Sequence, residues 1–108
     1  MSVAQAIYAA ADQMPKKEEY RLTSQMIRAA VSIPANIAEG HARATRKDYA
    51  HFVSIARGSS AELETLLLLA ERASHLPSAV TAPILSEVEA VSRMLNRLNA
   101  RLKDAPNP

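Results

Sequence analysis

The chain has 108 residues and a mass of 11.7 kDa, the size of a single domain. Its 13 Lys and Arg exceed its 11 Asp and Glu by only two charges, and its lack of cysteine excludes a disulfide framework, cysteine-ligated zinc and a thiol nucleophile. Few glycines, no Trp and abundant Ala and Leu favour helices over a β-sandwich or barrel. No apolar run approaches the roughly 20 residues of a membrane span, and no signal peptide is recognised, so we expect a cytoplasmic protein without membrane contact.

The first two helices are predicted at residues 2–14 and 23–39, where apolar residues recur at helical spacing. Lys16–Glu19 is expected to be a solvated connection between them. Thr23 is the expected N-cap of the second helix, and Gly40 its C-terminal residue, because glycine adopts the left-handed conformation without a Cβ clash.

Pro34 lies inside the second predicted helix and leaves two interpretations open. It removes one helical hydrogen bond and crowds the preceding turn, which predicts a kink. The kink is either purely structural or a functional notch among small side chains.

Two further helices are predicted at residues 45–74 and 81–103. Thr45 opens the third as an N-cap, in an imperfect capping box that has Asp three residues later instead of Glu or Gln. Pro83 is expected in the first turn of the fourth helix, and the residues from Asp104 onward form a frayed tail. Four helices with short connections indicate an all-α fold, an antiparallel up-and-down four-helix bundle in one domain at residues 1–108.

Two motifs carry a resemblance to a known family: LTSQM at residues 22–26 with RAAVSIPANIAEG at 28–40, and ARGSSAELET at 56–65. They resemble the bacterial four-helix bundle family of proteins encoded in intervening sequences of 23S ribosomal RNA genes. The resemblance implies a homopentameric barrel. Related accessory proteins of diversity-generating retroelements bind nucleic acid and a reverse transcriptase, and the family brings no catalytic residues.

The residues themselves argue against an enzyme. His41, His51 and His75 lack the spacing of a helical metal site, and we expect all three to be solvated. No nucleophile elbow or phosphate-binding loop is present. We therefore expect no catalytic residues, no metal and no cofactor.

Basic residues are concentrated in one segment, 41–57, which contains four Lys and Arg and only one Asp. A phosphate-binding surface needs such a cluster without any particular base-reading residue. The candidate nucleic-acid-binding residues are Arg43, Arg46, Lys47 and Arg57, and a second basic stripe follows the fourth helix as Arg93, Arg97 and Arg101. The alternative for both groups is an ordinary solvated face.

Four consecutive leucines at 66–69 cover most of the circumference of the third helix. Leu67 continues the stripe that should face the chain's own core. The second stripe, the candidate oligomer interface, consists of Leu66, Leu69 and Ala73. A lone monomer would leave it in water, which indicates a homo-oligomer unless the neighbouring helices wrap further round. The number five comes only from the family resemblance.

Two functions remain open. The first is a non-enzymatic homo-oligomeric scaffold or accessory protein that binds RNA or DNA through a ring of basic residues. The second is a helical adaptor that binds proteins and no nucleic acid.

Overall fold

Four α-helices make up the computed structural model of the protein, which describes residues 2–104. Their bounds are Val3–Ala11 (α1), Ser24–His41 (α2), Arg46–Arg72 (α3) and Ser78–Asp104 (α4). Consecutive helices pack on one another and α4 also contacts α1, which closes a bundle of 50 × 22 × 20 Å. The predicted all-α four-helix bundle is confirmed.

The polar contacts between α3 and α4 set their antiparallel register. Near the connecting turn, Thr81 Oγ1 donates to Glu71 Oε1 over 2.8 Å. Further along, Ser60 and Ser92 hydrogen-bond through their hydroxyls, and Asn99 Nδ2 donates over 2.8 Å to Ser54 Oγ. The partners on α3 decrease in residue number, from 71 to 54, while those on α4 increase, from 81 to 99. The two helices are therefore antiparallel, and the first half of α3 lies beside the second half of α4.

The core runs the length of the bundle and draws on every helix. Its largest fully buried apolar side chains are Ile7, Met26, Val53, Leu63, Leu67, Val88 and Leu95. Burial of an aliphatic side chain of this size contributes about 1.5–3 kcal/mol. This stripe of buried residues supplies the stability of the fold, since isolated helices of these lengths are marginal in water.

The connection between α1 and α2 differs from the prediction. Helix α1 ends at Ala11, not at Met14, because the N–H groups of Gln13 and Met14 bond three residues back in a tighter turn. A 3-10 turn at Lys16–Glu18 and a π-helical turn at Glu19–Thr23 then lead into α2. The expected solvated connection was wrong in part, since the Glu18 side chain is buried.

The two residues predicted to end α2, Thr23 and Gly40, do not act as helix caps. Thr23 is not an N-cap: its backbone is helical, its side chain makes no capping bond, and the helix continues backward through the π-helical turn. Gly40 has no left-handed backbone, and α2 continues to His41 with a right-handed Ala42 behind it. The helix is continuous through Pro34.

Helix α3 begins as predicted, whereas α4 begins earlier. Thr45 Oγ1 accepts the Asp48 N–H over 3.1 Å, which confirms the N-cap. Helix α4 starts at Ser78, so Pro83 lies beyond the first turn. It continues through Asp104, so the predicted tail does not begin there, and residues 105–108 lie outside the described part.

Candidate nucleic-acid interface

The corner between α2 and α3 is built on close backbone approach. A Cβ placed on Gly40 would stand 2.9 Å from Phe52 Cβ and 3.0 Å from Tyr49 Cδ1. Only a residue without a side chain allows the last turn of α2 to lie this close to the first turns of α3. The glycine is therefore required for packing and not for its backbone conformation.

Cationic and aromatic side chains pack together at this corner. The Arg43 guanidinium lies 4.7 Å from the centre of the Phe52 ring, and its Nη2 donates to Glu39 Oε1 over 2.5 Å. The rings of His41 and Tyr49 meet edge to face at 5.8 Å. Arg43 is thereby held in place by a cation–π contact and an ion pair, although its side chain remains 44% exposed.

The four predicted binding residues are all exposed, but they do not form one cluster. Arg43, Arg46 and Lys47 lie at the α2–α3 corner. Arg57 lies eleven residues after Arg46 on α3, about 16 Å along the helix axis at 1.5 Å per residue. There its Nε donates to Asn96 Oδ1 of α4 over 2.7 Å.

Helix α4 completes the basic surface, which the sequence pattern alone did not place. Buried Asn99 donates from Nδ2 to Ala50 O over 3.4 Å as well as to Ser54, and this fixes the end of α4 against the start of α3. The exposed basic residues of that part of α4 are Arg93, Arg97, Arg101 and Lys103. Arg93 pairs with Glu89 over 2.8 Å.

This packing divides the charge of the molecule unequally. We call segments 41–57 and 93–104 the basic half; together they hold eight Lys and Arg against two Asp. With Glu39 and Glu89, which pair with Arg43 and Arg93, the balance of this surface is +4. The rest of the chain holds five Lys and Arg against seven Asp and Glu, a balance of −2. A total of +2 therefore conceals a separation of positive from negative charge along the bundle.

The opposite end of the bundle contains a buried carboxylate, Glu18, that sequence reasoning missed. Its side chain is 6% exposed; its Oε2 lies 3.0 Å from Nη2 of Arg21, whose own side chain is 72% exposed, and 3.9 Å from His75 Nε2. His75 is only 15% exposed in its side chain, so the expectation of a solvated histidine was wrong here. His41 and His51 are exposed, as expected.

The three residues of the candidate oligomer interface on α3 differ in exposure. Leu66 is 7% exposed, so the expectation that a monomer leaves it in water was wrong; it packs into the chain's own hydrophobic core. Leu69 is 51% exposed, and Ala73 is exposed too. Leu67 is fully buried, as its place in the core stripe predicts.

The described residues, 2–104, contain neither a membrane-spanning helix nor a cluster of metal ligands. None of their helices has the length and apolar character needed to cross a bilayer. Within the same residues, no three His, Cys, Asp or Glu side chains are grouped as metal ligands.

The fold and its sequence are those of a known family. The family model of the 23S rRNA-intervening sequence protein matches residues 1–97. The chain belongs to this family. A crystal structure of a protein of unknown function from the S23 ribosomal protein family, from Bacteroides thetaiotaomicron, is similar in fold, with a TM-score of 0.83 and 23% identity. The likeness covers 89% of this chain and 90% of that one. No curated protein matches the chain.

Proposed function

We propose that this member of the 23S rRNA-intervening sequence protein family is a non-enzymatic, homo-oligomeric scaffold that binds RNA through its basic half. The observation that carries the proposal is the +4 balance of the surface that α3 and α4 form in one half of the bundle, with its two ion-paired carboxylates counted. Such a surface attracts phosphates and releases their condensed counterions, a contribution that does not depend on base sequence.

The aromatic residues of the basic half favour backbone binding over base reading. Phe52 is contacted by Arg43 on its face and by His51 at 5.4 Å, while Tyr49 packs against His41. Both rings are only partly exposed. They are poor platforms for stacked bases, so we expect contacts to phosphates and little sequence preference.

Assembly into a closed oligomer is the second part of the proposal. Three features of one α3 surface support it: Leu69 is 51% exposed, Ile55 is 39% exposed, and Gly58 has no atom within 4 Å of the place its Cβ would take. Glycine within a helix costs about 0.5–1 kcal/mol relative to alanine, and nothing inside this chain explains that cost. Close approach of another copy would explain it, and the family resemblance suggests five copies.

A closed ring would also strengthen the binding of nucleic acid. Each copy adds its own basic half, so a long RNA meets several weak sites at once and the avidity rises. The two parts of the proposal are therefore linked, but each has its own measurement.

Two triple variants test RNA binding with equal loss of charge. Lys47→Gln, Arg97→Gln and Arg101→Gln remove three charges from the basic half, whereas Lys16→Gln, Lys17→Gln and Arg72→Gln remove three from exposed positions elsewhere. We expect the first variant to lose retention on an RNA column at low salt and the second to keep most of it. Equal retention of both variants would contradict the proposed surface.

The adaptor hypothesis is the alternative outcome. A protein that shows no salt-dependent retention on RNA or DNA, while it remains folded and oligomeric, would be a protein-binding module whose charge is incidental.

A further inference from the structure

A groove lies between α2 and α4, beside the first turn of α1. We call this the α1–α2–α4 groove; its volume is about 490 Å³.

The walls of the groove are apolar. Ile33, Pro34 and Ile37 line it from α2, Val91 and Met94 from α4, and Val3 from α1. Pro34 is exposed and continues the apolar wall, so the notch that its position in α2 suggested lies in this groove. Met94 stands at the opening, 45% exposed, and its flexible side chain can adapt to the shape of a ligand.

One charged group breaks the apolar lining. Glu87 of α4 lines the groove, and its Oε2 is buried with no hydrogen-bond partner. A carboxylate oxygen removed from water without a donor is unfavourable, and most buried polar atoms of native proteins have a partner. A ligand in the groove that carries a donor and a positive charge would stabilise the Glu87 carboxylate.

We propose that the α1–α2–α4 groove binds small amphiphilic amines, with the protonated amine donating to Glu87 and the hydrocarbon chain lying against Ile33, Pro34, Val91 and Met94. The volume lies within the range of small-molecule sites and is too small for a docked helix about 10 Å wide. A protonated amine has several donors and a positive charge, which match an unpaired carboxylate. The groove contains none of the Lys and Arg residues of the basic half and no residue of the Leu69 surface, so this proposal stands apart from the proposed function.

The start of α1 does not turn the groove into an anion site. Free N–H groups at a helix N-terminus attract negative charge, but Ser2 and Gln5 form a reciprocal capping box there. Glu87 adds a negative charge that repels a carboxylate ligand. The head group of the ligand therefore distinguishes the proposal from simple hydrophobic binding.

Three probes with the same chain and different heads test the proposal: hexylamine, hexanol and hexanoate, titrated into isotopically labelled protein and followed by NMR chemical shifts. We expect hexylamine to shift the resonances of residues along the groove and to bind about tenfold more tightly than hexanoate, the effect of one charge-assisted hydrogen bond. Hexanol should lie between them. Equal affinity for the amine and the carboxylate, or shifts confined to other surfaces, would overturn the proposal.

Two matched variants assign the head-group contact. Glu87→Gln should abolish the preference for the amine, whereas Glu89→Gln, on the same helix but paired with Arg93 in solvent, should leave it unchanged. Equal effects of the two variants would show only a general attraction of amines to acidic surface. Ala90→Phe would place a ring in the groove and should block all three probes; if it fails to fold, the Glu87→Gln comparison decides.

Discussion

The Cβ of Phe52 lies 2.9 Å from the position that a Cβ on Gly40 would occupy, a distance that real Cβ atoms do not show. Phe52 is also the ring on which Arg43 rests, so the same close approach positions the first cation of the basic half. The packing of α2 against α3 and the placement of charge are thus determined at one contact.

The two glycines of the chain are predicted to respond in opposite directions to alanine. Gly40→Ala should lower the free energy of unfolding by about 1–3 kcal/mol, because the new methyl group meets side-chain atoms next to the α3 backbone. Gly58→Ala should raise it by about 0.5–1 kcal/mol in a monomer, since its Cβ meets nothing within 4 Å. Urea denaturation of both variants checks the pair, and stabilisation by Gly40→Ala would refute the packing argument.

Two neighbouring leucines separate assembly from folding. Leu69→Lys should dissociate the oligomer and leave the helix content intact, because Leu69 is half-exposed in its own chain. Leu67→Lys should unfold the protein, since it removes a fully buried side chain worth about 1.5–3 kcal/mol and adds a charge to the core.

Light scattering on a sizing column measures the assembly directly. The family resemblance predicts about five times the monomer mass for the parent and a single copy for Leu69→Lys. An 11.7 kDa monomer of the parent at micromolar concentration would exclude the oligomer.

The buried Glu18 carboxylate is predicted to depend on Arg21 for part of its stabilisation. Arg21→Met removes this ion-pair partner and should cost about 1 kcal/mol, since Arg21 is itself 72% exposed and solvent screens the pair. Adding Glu18→Gln to that variant should restore part of the stability, because a neutral amide is cheaper to bury than a charge. Thermal unfolding of the single and double variants decides, and a double variant less stable than Arg21→Met alone would refute this explanation.

What the sequence could predict was local. Thr45 and Asp48 are three residues apart, and the N-cap between them was predictable because its geometry is closed within one turn. The requirement for Gly40 depends on its distance from Phe52, which lies on another helix. Residue spacing within one helix does not predict a distance between two helices. Thr23 has a side chain that can cap a helix, but it is the last residue of the π-helical turn, and α2 begins directly after it. Helical backbone lies on both sides of Thr23, so no cap forms there.

The candidate site was predictable in part for the same reason. The cluster at 41–57 is visible as a run of charge along the chain. Its union with Arg97 and Arg101 depends on the register that Asn99 sets between α3 and α4, and a single sequence does not reveal register. Likewise, His75 and Glu18 are far apart in sequence, and only the packing of the α3–α4 turn against the α1–α2 connection brings them together.

The salt dependence of RNA binding is the most direct test of the basic half as a phosphate-binding surface. The affinity of the parent protein for a single-stranded RNA of mixed sequence should fall steadily as salt rises from about 50 to 200 mM. In a plot of the logarithm of the binding constant against the logarithm of the salt concentration, each phosphate neutralised should contribute about −0.7 to the slope. The Lys47, Arg97 and Arg101 triple variant should give a shallower slope by about 2 units per protomer engaged. A parent protein that does not bind at low salt, or whose affinity is independent of salt, would contradict RNA binding through the basic half.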